Sequence, residues 1–192
     1  MKLPRAIRLD PSDTFVFERA AESGEWAVSG AFLFGETPTE ALGPKERHAF
    51  RSGFLGVRSL GFSTLVTVSE ASESEREEAV QALTSGFLSL GAPDAGEARR
   101  AAEEEIAFAS SLCDHPEGTL IAVERRRDDA GELRERFRTL RPRETVPGAD
   151  QMHAISRAFT FHEVDGEEEG PEERVDLVSM IDTQHPQGKK KT

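Results

Sequence analysis

The chain has 192 residues, of which 36% are hydrophobic and 31% charged, with twelve Phe and a formal net charge of -12. This composition is typical of one globular domain with its own core and excludes a disordered chain. The excess of 36 acidic over 24 basic residues argues against a surface built as a whole for nucleic acid or an anionic membrane. Cys113 is the single cysteine, which excludes an intramolecular disulfide and a zinc site with two cysteines.

Neither the N-terminal residues nor the longest charge-free stretch has the features of a membrane or export segment. Residues 1–5 lead directly into alternating charged sequence and lack the apolar run of an export signal. Residues 79–93 include Gln, Thr, Ser and Gly, and they are fewer than the roughly 20 apolar residues that span a bilayer. We therefore expect a cytoplasmic protein without a membrane partner.

The first third of the chain has the patterns of short strands. Residues 3–9 alternate apolar and charged side chains, and residues 14–17 are β-branched and aromatic, so both predict strands. The Asp and Pro residues at 10–13 favour a turn between them. Residues 26–34 predict a third strand that is covered on both faces, because apolar side chains occur at both parities.

The next segment mixes helical and extended patterns. Residues 37–50 favour one or two short helices, interrupted at Gly43-Pro44. Residues 53–56 favour a turn between packed elements. Residues 62–68 form an apolar, β-branched run that predicts one continuous strand.

A helical hairpin is predicted at residues 74–90 and 94–114. Either Ser72 or Ser74 offers an N-cap, and glutamates follow where they favour the helix dipole. Apolar residues then recur with helical period, and Gly91 ends the first helix.

Residues 118–128 and 132–140 predict a β-hairpin, with Gly131 in the left-handed position of the turn. If Asp128 faces Glu132, the register pairs Val123 with Phe137, Glu124 with Arg136 and Arg125 with Glu135. The pattern of residues 158–164 predicts a last strand. Together these elements predict an α+β fold, a mostly antiparallel sheet with the helical hairpin packed on one face.

The C-terminal residues are expected to contribute less to this fold. We expect a single domain over residues 1–182, within which residues 165–173 form a mobile loop because they are acidic and contain Gly and Pro. Residues 183–192, which end in three lysines before Thr192, are expected to be a disordered tail.

Arginine is unevenly distributed along the chain. Eight of the nineteen arginines fall between Arg125 and Arg143, against four acids, in an otherwise acidic molecule. Strand alternation puts four of them on one face, where guanidinium groups can converge on carboxylates: Arg126, Arg134, Arg136 and Arg138. We interpret this face as a docking site for an acidic protein partner. The alternative is a solvated face, neutralised by Glu124 and by acids of the helices.

Other ligands are less compatible with the hairpin. Phe137 shares a parity with Leu133 and Glu135 and not with the arginines, so the aromatic platform of a single-strand nucleic-acid binder is missing. The acidic remainder of the chain would also repel phosphates.

Motifs for metal binding or catalysis are not recognised in the sequence. Candidate metal ligands occur without the spacing of a known site: Cys113, His115, His153 and His162, with Glu163 or Asp165. The sequence also lacks a Gly-x-Ser-x-Gly elbow and a phosphate-binding glycine loop. We therefore expect neither a metal nor a cofactor, and a non-catalytic protein. The competing hypothesis is a small-molecule-binding domain or enzyme with a pocket between the hairpin and the strands around Trp26 and Phe62.

Residues 1–13, 26–34 and 54–61 resemble a bacterial family of unknown function, and the resemblance extends over roughly residues 1–164. That family is similar to one found near genes for lipoate-ligase-like and molybdenum-dependent redox enzymes. The resemblance implies an accessory role, such as assisting the assembly of a redox enzyme. It supplies no catalytic residues.

Overall fold

A computed structural model describes residues 1–35, 37–142 and 162–165 of the protein. The strands are β1 (Lys2–Ile7), β2 (Ala27–Val28), β3 (Phe54–Gly56), β4 (Phe62–Ser63), β5 (Leu65–Glu70), β6 (Leu120–Arg127), β7 (Leu133–Pro142) and β8 (His162–Asp165). The α-helices are α1 (Asp13–Val16), α2 (Pro44–Ser52), α3 (Glu73–Ser89) and α4 (Ala95–Ser111), and single 3-10 turns occur at Ala31–Leu33 and Thr39–Ala41.

Two antiparallel sheets form the framework. The larger has the strand order β1-β5-β6-β7-β8, and the smaller has the order β2-β3-β4. A bridge between Arg5 of β1 and Trp26 connects the two sheets. This architecture confirms the predicted α+β class and the mostly antiparallel pairing.

The predicted helical hairpin is confirmed, with caps that explain its limits. Ser72 is the N-cap of α3: its side chain accepts from the Glu75 amide at 3.2 Å, and the Glu75 carboxylate accepts from the Ser72 amide at 2.9 Å. Gly91, at φ +100, follows the end of this helix. Asp94 caps α4 by accepting from the Glu97 amide at 2.9 Å.

The helices cover one side of the framework. Their buried residues pack on Leu3, Val28 and Leu55 of the strands, which lie fully inside. The helical side of this core consists of Ala79, Val80, Leu83, Ala102, Ile106 and Ala109. In the described part of the chain, no helix combines the length and the apolar character needed to cross a membrane.

The strand prediction for residues 14–17 is wrong, because Asp13–Val16 forms one turn of helix. Local hydrogen bonds start this turn: the Asp10 carboxylate accepts from the Ser12 amide at 2.7 Å, and the Thr14 hydroxyl donates to the Pro11 carbonyl at 2.6 Å. These bonds outweigh the β-propensity of the aromatic and β-branched side chains.

The strand predicted over residues 26–34 is also too long. Only Ala27–Val28 pairs as a strand, because Gly30 turns the chain at φ +79 into the 3-10 turn that follows. A Cβ atom on Gly30 would lie 2.7 Å from the Cβ of Leu55, so the close approach to β3 requires glycine. Residues 53–56, expected as a turn, contain β3, which is the central strand of the smaller sheet.

The run at residues 62–68 is two strands rather than one. β4 belongs to the smaller sheet and β5 to the larger, with the corner at Thr64. Asp13 fixes that corner, because its buried carboxylate accepts from the Thr64 hydroxyl at 2.6 Å and from the Thr64 amide at 3.3 Å. An apolar run can therefore change sheets without a break in its hydrophobic pattern.

The C-terminal predictions fall largely outside the described residues. β8 pairs antiparallel with β7, Asp165 opposite Thr139 and His162 opposite Pro142. Residues 158–161, and everything from 166 through the expected domain limit at 182 to the tail at 183–192, lie beyond the described part, so those limits stay predictions.

The arginine-rich hairpin as candidate functional site

The turn between β6 and β7 is built from the residues that the sequence indicated. The Asp128 amide donates to the Glu132 carbonyl at 2.9 Å, and Gly131 has φ +80. The Asp128 carboxylate accepts from the amides of Ala130 and Glu132 at 3.0 and 2.9 Å. The register pairs Val123 with Phe137 as predicted, which confirms the hairpin.

This register places the four predicted partner-binding arginines on one face. Arg126 lies directly opposite Arg134, Arg136 opposite Glu124, and Arg138 opposite Ala122. Arg126, Arg134 and Arg136 are exposed and Arg138 is half-buried. We call these four residues the arginine face.

Neighbouring acids already pair with part of the arginine face. Arg134 contacts Asp128 at 2.7 Å and Glu132 at 2.9 Å, and Arg138 contacts Glu124 at 2.9 Å. The hydrogen bond from Arg134 holds the pKa of Asp128 below its ordinary value. Within the described part of the chain, Arg126 has no acidic partner and instead lies opposite a like charge.

Arg125 points to the other side of the same strand and is 2% exposed. Its guanidinium donates to Glu135 Oε1 at 2.7 Å, to the Gly53 carbonyl at 2.7 Å and to the Phe50 carbonyl at 3.2 Å. It also donates to the carbonyl and the hydroxyl of Ser29. We call Ser29, Arg125 and Glu135 the inner network. It attaches the hairpin to the end of α2 and to the smaller sheet, because carbonyls at a helix C-terminus need donors from outside the helix.

Glu105 of α4 lies near the inner network without joining its hydrogen bonds. Its Oε2 atom is buried and has no hydrogen-bond partner among the described residues. Burial, together with repulsion by the negative charge of Glu135, raises the pKa of Glu105 to about 7, although Arg125 opposes this shift. This carboxyl therefore titrates closer to neutral pH than an exposed glutamate does.

Sequence reasoning paired Arg125 with Glu135 but did not single out the inner network. One signal was available, since Arg125 shares the parity of the apolar Ile121 and Val123, which marks an inward-facing position. No comparable signal marked Ser29 or Glu105, because they reach the hairpin only through tertiary packing.

A cleft of about 990 Å³ lies at the tip of the hairpin, lined by Phe50, Arg51, Arg127, Asp128 and Glu40 among others. Arg127 attaches the neighbouring loop to this tip, donating to the carbonyls of Phe34, Gly35 and Thr37 at 3.2, 2.6 and 2.9 Å. Both signs of charge line the cleft.

Trp26 and Phe62, around which the competing hypothesis places a small-molecule pocket, lie in different surroundings. Trp26 is buried, and the Arg5 guanidinium lies 4.0 Å from its ring centroid. Phe62 lines a cleft of about 510 Å³ together with Phe34, Leu42 and Lys45. A small-molecule pocket stays a prediction.

Most of the metal-ligand candidates lie outside the described side chains. Cys113 is buried, which raises the pKa of its thiol to about 11, whereas His115 is exposed. His153 and the side chains of His162, Glu163 and Asp165 are not among those described. In the described part of the chain, no three His, Cys, Asp or Glu side chains come together as a metal site.

Residues 1–158 match the model of the DUF6505 family, a family of unknown function, and the chain belongs to that family. No curated protein and no solved structure shows significant similarity to the chain.

Proposed function

We propose that this DUF6505 protein is a non-catalytic interaction protein that binds an acidic protein partner through the arginine face. The observation that carries the proposal is the hairpin register, which turns Arg126, Arg134, Arg136 and Arg138 to the side away from the helices. On the opposite side of the hairpin, Arg125 contacts α2.

The arginine face is held on a rigid support. The inner network attaches β6 to α2, and Phe137 of β7 packs on Phe108 of α4 with ring centroids 5.9 Å apart. A backbone that is already packed loses less entropy on binding than a mobile one, and each guanidinium can match a carboxylate with two parallel hydrogen bonds.

The present ion pairs of the face do not prevent docking. Arg134 is 59% exposed at its side chain and Arg138 is 36% exposed, so their pairs with Asp128 and Glu124 are screened by water. Exposed pairs of this kind contribute roughly 0–1 kcal/mol each. Carboxylates of a partner can therefore replace them at little energetic cost.

The chemistry of the hairpin favours a protein over a single-stranded nucleic acid. Phe137 points inward to Phe54 and Phe108, so it is not available for stacking on a base. The formal net charge of -12 repels a polyphosphate chain but allows local docking of a few carboxylates. From the family resemblance, we further propose that the partner is a redox enzyme during its assembly.

The test is an affinity capture of the full chain from its native cells, read by mass spectrometry. One variant carries Arg126, Arg134, Arg136 and Arg138→Gln. The matched control carries four other exposed arginines changed in the same way, which alters the net charge equally: Arg8, Arg19, Arg58 and Arg100. We expect a stoichiometric acidic partner that the control retains and the arginine-face variant loses. The same captured proteins with both variants would contradict the proposal.

One observation favours a second candidate, a domain that binds a small anion. The cleft at the hairpin tip has a volume of about 990 Å³ and contains Arg51 and Arg127 beside Phe50, and sites for small ligands measure roughly 300–1,000 Å³. A metabolite that raises the unfolding temperature of the wild type but not of an Arg51→Gln variant would support this candidate over protein docking.

A further inference from the structure

The acidic segment at residues 166–173 begins beside the arginine face. Asp165, the last residue of β8, lies opposite Thr139 in the β7–β8 register, and Thr139 is the neighbour of Arg138. The sequence then continues Gly-Glu-Glu-Glu-Gly-Pro-Glu-Glu, with five carboxylates in eight residues.

The segment is long enough to reach the whole face. Arg138 and Arg134 are four residues apart on β7, which corresponds to about 13 Å along a strand, whereas eight extended residues span about 26 Å. The segment follows Asp165, which lies opposite Thr139, the neighbour of Arg138 on β7. A short linker of this kind gives the carboxylates a local concentration in the millimolar range at the arginine face.

The two charge patterns are complementary. The face presents four guanidinium groups, and Arg126 has no acidic partner within the described part of the chain. The exposed pairs of Arg134 and Arg138 are weak enough to be exchanged. No other run of the sequence combines this density of glutamate with a starting point at the hairpin.

We propose that residues 166–173 bind the arginine face of their own chain and compete with the acidic partner. This inference rests on the proposed function, to which it adds autoinhibition. The partner has to displace an intramolecular acidic ligand, so binding is selective for a partner whose carboxylates are more numerous or better placed.

The first experiment uses a fluorescein-labelled poly-glutamate peptide and fluorescence anisotropy at low ionic strength. The full chain is compared with a variant in which the five glutamates at 167, 168, 169, 172 and 173 are Gln. We expect the variant to bind the probe about fivefold more tightly or better, since the competing ligand is gone. A matched control changes five other exposed glutamates to Gln and so corrects for net charge: Glu18, Glu22, Glu70, Glu104 and Glu117.

The outcomes separate this inference from the proposed function. Autoinhibition would be overturned if the five-glutamate variant of residues 166–173 and the matched control bound the poly-glutamate probe with equal affinity. If the arginine-face variant still lost probe binding in that case, the docking function would stand. Probe binding that is weak and independent of the arginine face in all proteins would overturn the docking function itself.

A second experiment detects the intramolecular contact directly. A nitroxide label is attached at a Glu169→Cys substitution in the full chain, which is feasible because Cys113 is buried and its thiol is poorly ionised. We expect the label to broaden the amide signals of Arg134 and Arg126, which lie away from Asp165, and the arginine-face substitutions to restore them. Unbroadened signals at both residues in the otherwise unchanged chain would overturn the inference.

Discussion

At the scale of single residues, Arg125 and Arg126 are neighbours with opposite roles. Arg125 is 2% exposed and donates to a carboxylate and to carbonyls of α2 and the smaller sheet, whereas Arg126 is exposed. Desolvation lowers the pKa of Arg125, and its pair with Glu135 opposes this shift. A buried charge of this kind persists only because its donors are satisfied.

This difference predicts opposite outcomes for two adjacent substitutions. Arg125→Ala leaves Glu135 without its cation and removes the donors from the Phe50 and Gly53 carbonyls, so we expect a loss of about 3–5 kcal/mol in the free energy of unfolding. Arg126→Ala should change it by less than about 0.5 kcal/mol. Urea unfolding measures both, and an equal effect of the two substitutions would contradict the assigned roles.

Glu105 predicts how stability depends on pH. Its pKa rises from the ordinary 4.5 to about 7 on folding, so between these pH values the folded state holds a proton that the unfolded state has lost. This group therefore lowers stability progressively as pH rises through that window, and the penalty is complete above pH 7.

The test is a Glu105→Gln variant, which keeps the neutral form at every pH. We expect it to match the wild type near pH 4 and to be more stable above pH 7 by on the order of 1 kcal/mol, since the side chain is partly exposed and solvent screens it. Urea unfolding across this pH range measures the difference. A difference in the free energy of unfolding between the two proteins that is the same at all pH values would contradict the raised pKa of Glu105.

At the scale of elements, Ser72 decides where α3 begins. The sequence left Ser72 and Ser74 as alternative caps, and the structure assigns the cap to Ser72, whose side chain and amide pair reciprocally with Glu75. We expect Ser72→Ala to lower the free energy of unfolding by about 1 kcal/mol and Ser74→Ala to leave it nearly unchanged. Thermal or urea unfolding of both variants tests this, and a larger loss from Ser74→Ala would contradict it.

The elements also show where sequence was sufficient. The α3–α4 and β6–β7 hairpins were predicted because their caps, turn residues and periodicity are all local. The helix at Asp13–Val16 and the corner at Thr64 were missed, since each depends on hydrogen bonds with Asp13 or its neighbours that the pattern of apolar residues does not encode. The arginine face followed from strand parity, whereas Ser29 and Glu105 reach the hairpin from distant elements.

At the scale of the whole molecule, Cys113 reports on the integrity of the core. It lies 2% exposed among residues of the large sheet such as Ala6, Val66 and Ile121, and burial raises the pKa of its thiol to about 11. We expect alkylation at pH 8 to be slow in native buffer and to accelerate with urea along the unfolding transition. Reaction at the rate of a free thiol in native buffer would contradict this packing.

The central claim is that the arginine face is the docking site for carboxylates. The most direct measurement is a titration of the isotope-labelled full chain with poly-glutamate, followed by the backbone amide and arginine Nε–Hε signals, with poly-glutamine as the uncharged control. We predict shifts concentrated at Arg126, Arg134, Arg136 and Arg138. Shifts concentrated instead at Arg8, Arg19, Arg58 and Arg100, or spread evenly over all exposed arginines, would contradict the claim.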